Sequence, residues 1–474
     1  MGKGLREILR GHQSTQKPRP SAVKKFLFIL CAGLACAQAA ANSDPLSELP
    51  SGSTGIAGTL RAESSPYRGA RTQYDYLPLF VYEGEHLYLH SYSLGLKLGS
   101  GKREPRFDLF IRRRFEGTPY HGTPDSLAGM AQREVGVDAG LSAEHGGDWG
   151  IGFAELLRDV SGASHGGEVR LGYKYPLQKG RLRLSPHFIL ALRNGALNDY
   201  YYGVRPDEAT PTRPAYTARA GIAPELGLYG AYGLTERWSL VMGYAVSRLP
   251  SSITGSPIVE GKTQWQATLG IAYNLTPERK EWVESGPLIV RGYYGASSDC
   301  NVGHVIQLQC ASIHTKDKTG LAGLDIGRPL LERVNGYPLD IAAFLGAQRH
   351  LEDGQQPDFW SFRAYFKPYF YGFPWDSRLR TRVGLGVGLS WAQRIPFSEQ
   401  RDLAERGRSM SKLINTFDPT VDFSVGDLLG KKSLRDTYAG LGVSHRSGIF
   451  GWTRLYGNVN GGSNYIYVYL ETRL

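Results

Sequence analysis

In the stretch QWQATLGIAYNL (264–275) apolar and polar positions take turns along the chain. Trp265, Ala267, Leu269, Ile271, Tyr273 and Leu275 alternate with Gln264, Gln266, Thr268, Gly270, Ala272 and Asn274. RLRTRVGLGVGLSW (378–391) does the same: Leu379, Thr381, Val383, Leu385, Val387, Leu389 and Trp391 oppose Arg378, Arg380, Arg382, three glycines and Ser390. Successive side chains of a strand point to opposite faces, so each segment has one apolar and one polar side. Three arginines facing a dry core would be very costly to desolvate. Facing a wet lumen, with the apolar side toward lipid, they cost little. The alternating segments run to 10–13 residues, against the roughly 5–6 usual in soluble sheets. Tyr and Trp collect at their ends, where membrane interfaces favour them. The pattern predicts an all-β fold of transmembrane antiparallel β-barrels, eight-stranded in its second part. A secreted soluble β-sandwich is the alternative that also alternates.

The N-terminus adds a destination. Residues 24–41, KKFLFILCAGLACAQAAA, place two lysines before a short apolar run and a tail of small residues. This is the layout of an export signal, and 1–41 is read as a signal peptide with an N-terminal extension. The apolar run is too short to cross a hydrocarbon core of about 30 Å. The leader holds seven Lys/Arg and one Glu, so six of the chain's eleven surplus positive charges leave with it. The remaining balance gives no ground for a nucleic-acid partner. Two of the four cysteines leave as well. Cys300 and Cys310, in DCNVGHVIQLQC of an exported chain, are read as a disulfide in preference to two free thiols. Residues 42–64 read as a flexible mature N-terminus.

Several motifs between 65 and 275 follow one another in a recognisable order. They are SPYRG (65–69), YLPLFVYEGEHLYL (76–89), RDVSGASHGG (158–167), DYYYGVRPDEA (199–209) with Ala215–Tyr216, and RLPSSITGSPIV (248–259). In this order and spacing the segment resembles the MipA/OmpV family of outer-membrane proteins. The resemblance implies a barrel in the outer membrane of a Gram-negative cell. One family member is described as a scaffold joining a lytic murein transglycosylase to a murein synthase; others are described as adhesins or porin-like. Tyr200–Val204 and Ser256–Val259 read equally as loop packing. Asp159 and His165 flank Ser161 in a glycine-rich loop, and without a third group they do not form a triad.

TPERKEWVESG makes 276–286 a polar connector. Beyond it, 287–474 contains eight candidate strands, near 287–296, 319–330, 338–350, 360–371, 378–392, 420–429, 435–447 and 464–474. An even count with long loops after strands one, three, five and seven suits an eight-stranded barrel with both ends in the periplasm. One barrel of about 20 strands is the structural rival. On strand seven, DTYAGLGVSHRS, His445 and Ser447 follow the lipid-facing side near its upper end. This part resembles the outer-membrane lipid A 3-O-deacylases, in which an H-x-S pair on the outer wall attacks a lipid ester. The resemblance makes His445 and Ser447 candidate base and nucleophile. The acidic residue that the family sets about a dozen positions later has no counterpart, only Asn458 and Asn460. Glu471 falls on the lumen face, and Asp418 is expected in the loop before strand six. No metal or cofactor motif is found.

Three functions remain open: an envelope scaffold linked to a murein hydrolase and synthase, a lipid A esterase, and a solute channel along the Arg378–Arg382 face. Outer-membrane lipid and lipopolysaccharide are expected neighbours in each.

Overall fold

The computed structural model describes residues 48–49, 54–83, 86–90, 92–98, 105–119, 123–275, 286–314 and 316–474. The export signal and nearly all of the connector lie outside the described residues. No described helix is long and apolar enough to cross a membrane. The chain crosses with strands.

The first barrel begins with β1 (Thr54–Glu63), β2 (Gln73–Glu83), β3 (Leu87–His90) and β4 (Ser93–Leu98). It continues through β5 (Arg106–Arg113), β6 (Val137–Gly147), β7 (Gly150–Asp159), β8 (Gly167–Lys174) and β9 (Leu177–Lys179). β10 (Leu182–Arg193), β11 (Gly221–Gly233), β12 (Trp238–Arg248) and β13 (Thr263–Asn274) complete it. β1 pairs with both β2 and β13, and β10 pairs with β11, so the sheet closes. β8 and β9 lie on successive stretches of the same side of β10, which leaves twelve positions around the ring. β1 falls inside the 42–64 stretch read as flexible. Its alternation of Ile56 and Leu60 outside with Thr59 and Glu63 inside explains why it joins the wall.

The second barrel is a separate closed ring of eight: β14 (Ile289–Ser297), β15 (Gly320–Leu331), β16 (Leu339–Leu351), β17 (Phe359–Phe370), β18 (Thr381–Ala392), β19 (Leu413–Ser424), β20 (Thr437–Ser447) and β21 (Asn464–Arg473). Two closed rings replace the single large barrel. The sixth strand of this ring lies earlier than the expected 420–429. It spans Leu413–Ser424, and Val425–Leu429 is a short helix capped by the Ser424 hydroxyl. Asp418 therefore sits in a strand, not in a loop. Of the three arginines expected to line the lumen, only Arg382 is in strand β18. Arg380 bonds Asp427 at the turn, and Arg378 is exposed there.

Both termini of each ring open on the same end, where most described turns are short and the longest are 371–380 and 425–436. The long segments 64–72, 114–136, 194–220, 298–319, 393–412 and 448–463 lie at the other. Short periplasmic and long external connections are the rule for such barrels, so the long segments face outward.

An eight-stranded lumen is just wide enough for side chains to fill, and here they do. Arg291 bonds Asp418 at 2.8 Å and Arg363 bonds Asp325 at 2.6 Å. Arg382 bonds Asp422 and Glu471, each at 2.8 Å. Lys367 donates to the Asp418 carbonyl at 3.1 Å. Tyr365, Tyr369 and Tyr469 donate to Asp325, Glu471 and Asp422. Outside, Leu324, Leu345, Trp360, Phe362, Leu385, Leu441 and Leu470 stay exposed, as a wall facing lipid requires.

Candidate functional site

β20 carries the two side chains singled out in the sequence. Leu441, His445 and Ser447 share its outer face, and the alternate residues Tyr438 and Arg446 turn inward. The register of β20 against β21 sets His445 directly opposite Asn464. The Asn464 amide nitrogen donates to the Cys300 carbonyl at 2.9 Å, so its oxygen is the free acceptor. His445 Nδ1 lies 2.6 Å from that oxygen, which places the ring proton on Nδ1 and leaves Nε2 as a base. Phe417 meets the imidazole edge-on at 6.3 Å. Cys300 is bonded to Cys310, as expected.

Asn464 is not legible in the sequence: it lies beyond the spacing at which the resemblance sets an acidic partner, and it meets His445 from the adjacent strand. Only the pairing register discloses it. Asn458 and Asn460 lie in the β20–β21 loop and do not reach the imidazole. Glu471 and Asp418 serve the lumen of the second barrel, Glu471 through Arg382 and Asp418 through Arg291. Among the described residues no hydrogen bond joins Ser447 to His445; the Ser447 hydroxyl accepts from the Ile449 amide at 3.2 Å. An amide can orient a histidine, but it brings no negative charge to stabilise an imidazolium. The arrangement has the tautomer of a general base without its electrostatic support.

The external end of the first barrel forms a cap. α1 (Gly195–Tyr202) is started by Asn194, whose side chain accepts from the Leu197 amide at 2.9 Å. Tyr201 and Tyr202 pack with Tyr67, Leu197, Ile253, Ile258 and Val259 in one buried cluster. The Tyr67 hydroxyl donates to the Tyr201 carbonyl and the Ser256 hydroxyl to that of Tyr202. The motifs 65–69, 199–209 and 248–259 thus meet in this cap as packing. Arg133 closes its rim with a two-pronged pair to Glu208, at 2.8 and 2.6 Å. Burial alone would raise the Glu208 carboxyl; the Arg133 bonds and the amides of Arg205 and Ala131 outweigh it and hold the group down to about 2. Asp159 organises the 160–166 loop by accepting from the amides of Ser161, Ser164 and His165. His165 and Ser161 therefore belong to a turn.

Beneath the cap a cavity of about 250 Å³ is lined by Arg61, Arg112, Arg114, Arg193, Glu63, Glu116 and Glu168. Tyr202 and Arg193 both reach Glu116 at 2.6 Å, tying the cap to the cavity wall. At the opposite end a second cavity, of about 290 Å³, is bordered by Glu48, Thr54, Arg181, Arg183 and Asn274. Among the described residues no group of three or more His, Cys, Asp or Glu could hold a metal ion.

Residues 56–275, the first barrel, match the family model described as MltA-interacting protein MipA. The chain is 31% identical over 151 residues to outer membrane protein Omp26La of Vibrio anguillarum, a match covering 32% of this chain and 59% of that one. It thus spans about three-fifths of that relative. It is 24% identical over 215 residues to the MltA-interacting protein of Escherichia coli strain K12, covering 44% of this chain and 85% of the relative. Among solved structures it is similar to LpxR from Salmonella typhimurium, at 10% identity and a TM-score of 0.18, covering 65% of this chain and 88% of that one.

Proposed function

We propose that this outer-membrane protein, whose first barrel is of the MipA/OmpV type, is an envelope scaffold that presents surfaces to partner proteins. One observation carries the reading: among the described residues the second lumen is filled with paired charges, and the Tyr201–Tyr202 cluster packs at the external end of the first ring. Similarity to a relative named MltA-interacting protein, together with the family resemblance, makes a murein hydrolase and a murein synthase the first partners to try. The test is co-retention on the purified, detergent-held chain. Retention of a murein transglycosylase and a murein synthase together supports the proposal; failure to retain either one overturns the murein link.

A second reading rests on Asn464. With His445 held in the base tautomer on the outer wall, Ser447 is a candidate nucleophile toward an ester of the outer leaflet. Mass spectrometry of lipid A from cells with the chain, without it, and with Ser447→Ala separates the two. Loss of an acyl chain that depends on Ser447 supports the esterase; identical lipid A in all three removes it.

A further inference from the structure

The wall of the first barrel is incomplete on one side. The β3–β4 hairpin is short, and β3 pairs with β2 only at residues 81–83. Among the described residues, the part of β2 nearer the outside, residues 73–80, has no strand partner on that flank. Above the hairpin this leaves a slot between β2 and the chain leaving β5. The β20–β21 loop of the second barrel fills it.

The contacts there are specific. The Tyr76 amide donates to the Trp452 carbonyl at 3.0 Å, as a strand partner would. The Arg454 amide donates to Asp75 at 2.8 Å, and its guanidinium reaches Asp75 at 2.6 Å, Glu63, and the Phe115 carbonyl at 3.0 Å. Arg454 is only 3% exposed. Leu455 and Tyr456 pack in one buried cluster with Leu77, Val81, Phe115 and Val241 of the first barrel. Outside the slot Phe80 and Phe366 bring the two walls together, with ring centroids 5.0 Å apart.

The charges of the slot identify its occupant. Asp75 and Glu63 are both buried, and within its own wall Arg61 binds both. Two carboxylates against one guanidinium leave one negative charge, and Arg454 brings the fourth member. An uncompensated buried carboxylate costs several kcal/mol. A planar fork with five N–H donors meets two carboxylates and a carbonyl in fixed directions, a geometry that a compact, strongly hydrated ammonium does not match. The loop is shaped for delivery: Ile449, Phe450, Gly451, Gly457 and Asn458 all have positive φ. Ser409 holds its base through the carbonyls of Gly457 and Asn458.

We infer that the slot beside β2 is a docking site for a loop bearing a buried arginine, and that the second barrel occupies it in cis as a latch joining the two rings. The inference stands apart from the scaffold and esterase readings and fails or survives independently of them.

Trypsin reads the latch directly, because the bond after Arg454 is cleavable only when that side chain leaves the slot. The full-length chain, in outer-membrane vesicles, is digested and scission between Arg454 and Leu455 is followed by mass spectrometry. The wild-type bond is expected to resist while the exposed Arg406 is cut. In an Asp75→Asn/Glu63→Gln chain, scission after Arg454 is expected to be at least about tenfold faster. Folding is checked by the heat-modifiable band on gels. Should that chain not fold, Arg454→Lys carries the test, since it keeps the cleavage site and charge but loses the fork. Wild-type scission after Arg454 as fast as after Arg406 would overturn the inference. So would protection unchanged in a folded variant.

Discussion

Glu208 shows how a single carboxylate can set the stability of the external cap. Its folded-state value, about 2, lies below the ordinary carboxylate range. The stabilisation is therefore complete above about pH 4.5 and is lost as pH falls toward 2. Hydrogen exchange of α1 is expected to quicken over that window, and Glu208→Gln to reproduce the acid state at neutral pH. An α1 equally protected at pH 7 in the variant would rule this out. Asp418 plays the corresponding part inside the second barrel, with Arg291, Arg363 and Lys367 around it. Asp418→Asn leaves three cations against Asp325 and is expected to cost about 3–5 kcal/mol. The measurement is a drop in the temperature at which the folded gel band disappears. The sequence named Asp418 but misplaced it, because LINTFDPT is dense in polar residues and holds a proline, and so reads as loop. In the barrel Thr416, Asp418 and Thr420 are on the lumen face. Asn464 was invisible for a different reason: contact across two strands depends on register, which sequence spacing does not specify.

At the scale of the element, alternation does most of the work. On β13, Leu269 and Ile271 are exposed on the outside while Thr268 and Gln266 border the internal cavity. Leu269→Arg is expected to destabilise the first barrel by about 2–4 kcal/mol near the bilayer midplane. Its urea midpoint in lipid vesicles should fall, while Leu269→Ile should leave it nearly unchanged. An unaltered midpoint for the arginine variant would mean that this face does not meet hydrocarbon. Element boundaries were legible where the alternation was clean, as in β16 and β17; the start of β18 was read three residues early. They were lost where a strand is interrupted: β3 and β4 are too short to show a period, and β9 continues the place of β8 after a break.

For the whole molecule, a second lumen filled with ion pairs and a packed cluster at the external end of the first predict an electrically silent protein. Planar bilayers containing the purified chain are expected to show no conductance steps. Regular steps would restore the channel reading and displace the scaffold. Among the described residues, the end opposite the long segments consists of turns and the border of the lower cavity. In the scaffold proposal the partner surface lies there.

The sequence by itself determined that this chain crosses a membrane with strands, since the side-chain period of two reports which face meets water and which meets hydrocarbon. It also carried the cysteine pair, the cap motifs and the outward position of His445 and Ser447. Tertiary structure alone decided that twenty strand positions close as rings of twelve and eight, because closure depends on which edges meet. It alone set Asn464 beside His445 and seated Arg454 among Glu63 and Asp75. Those contacts join residues up to 391 positions apart, and no local pattern encodes a meeting at that distance.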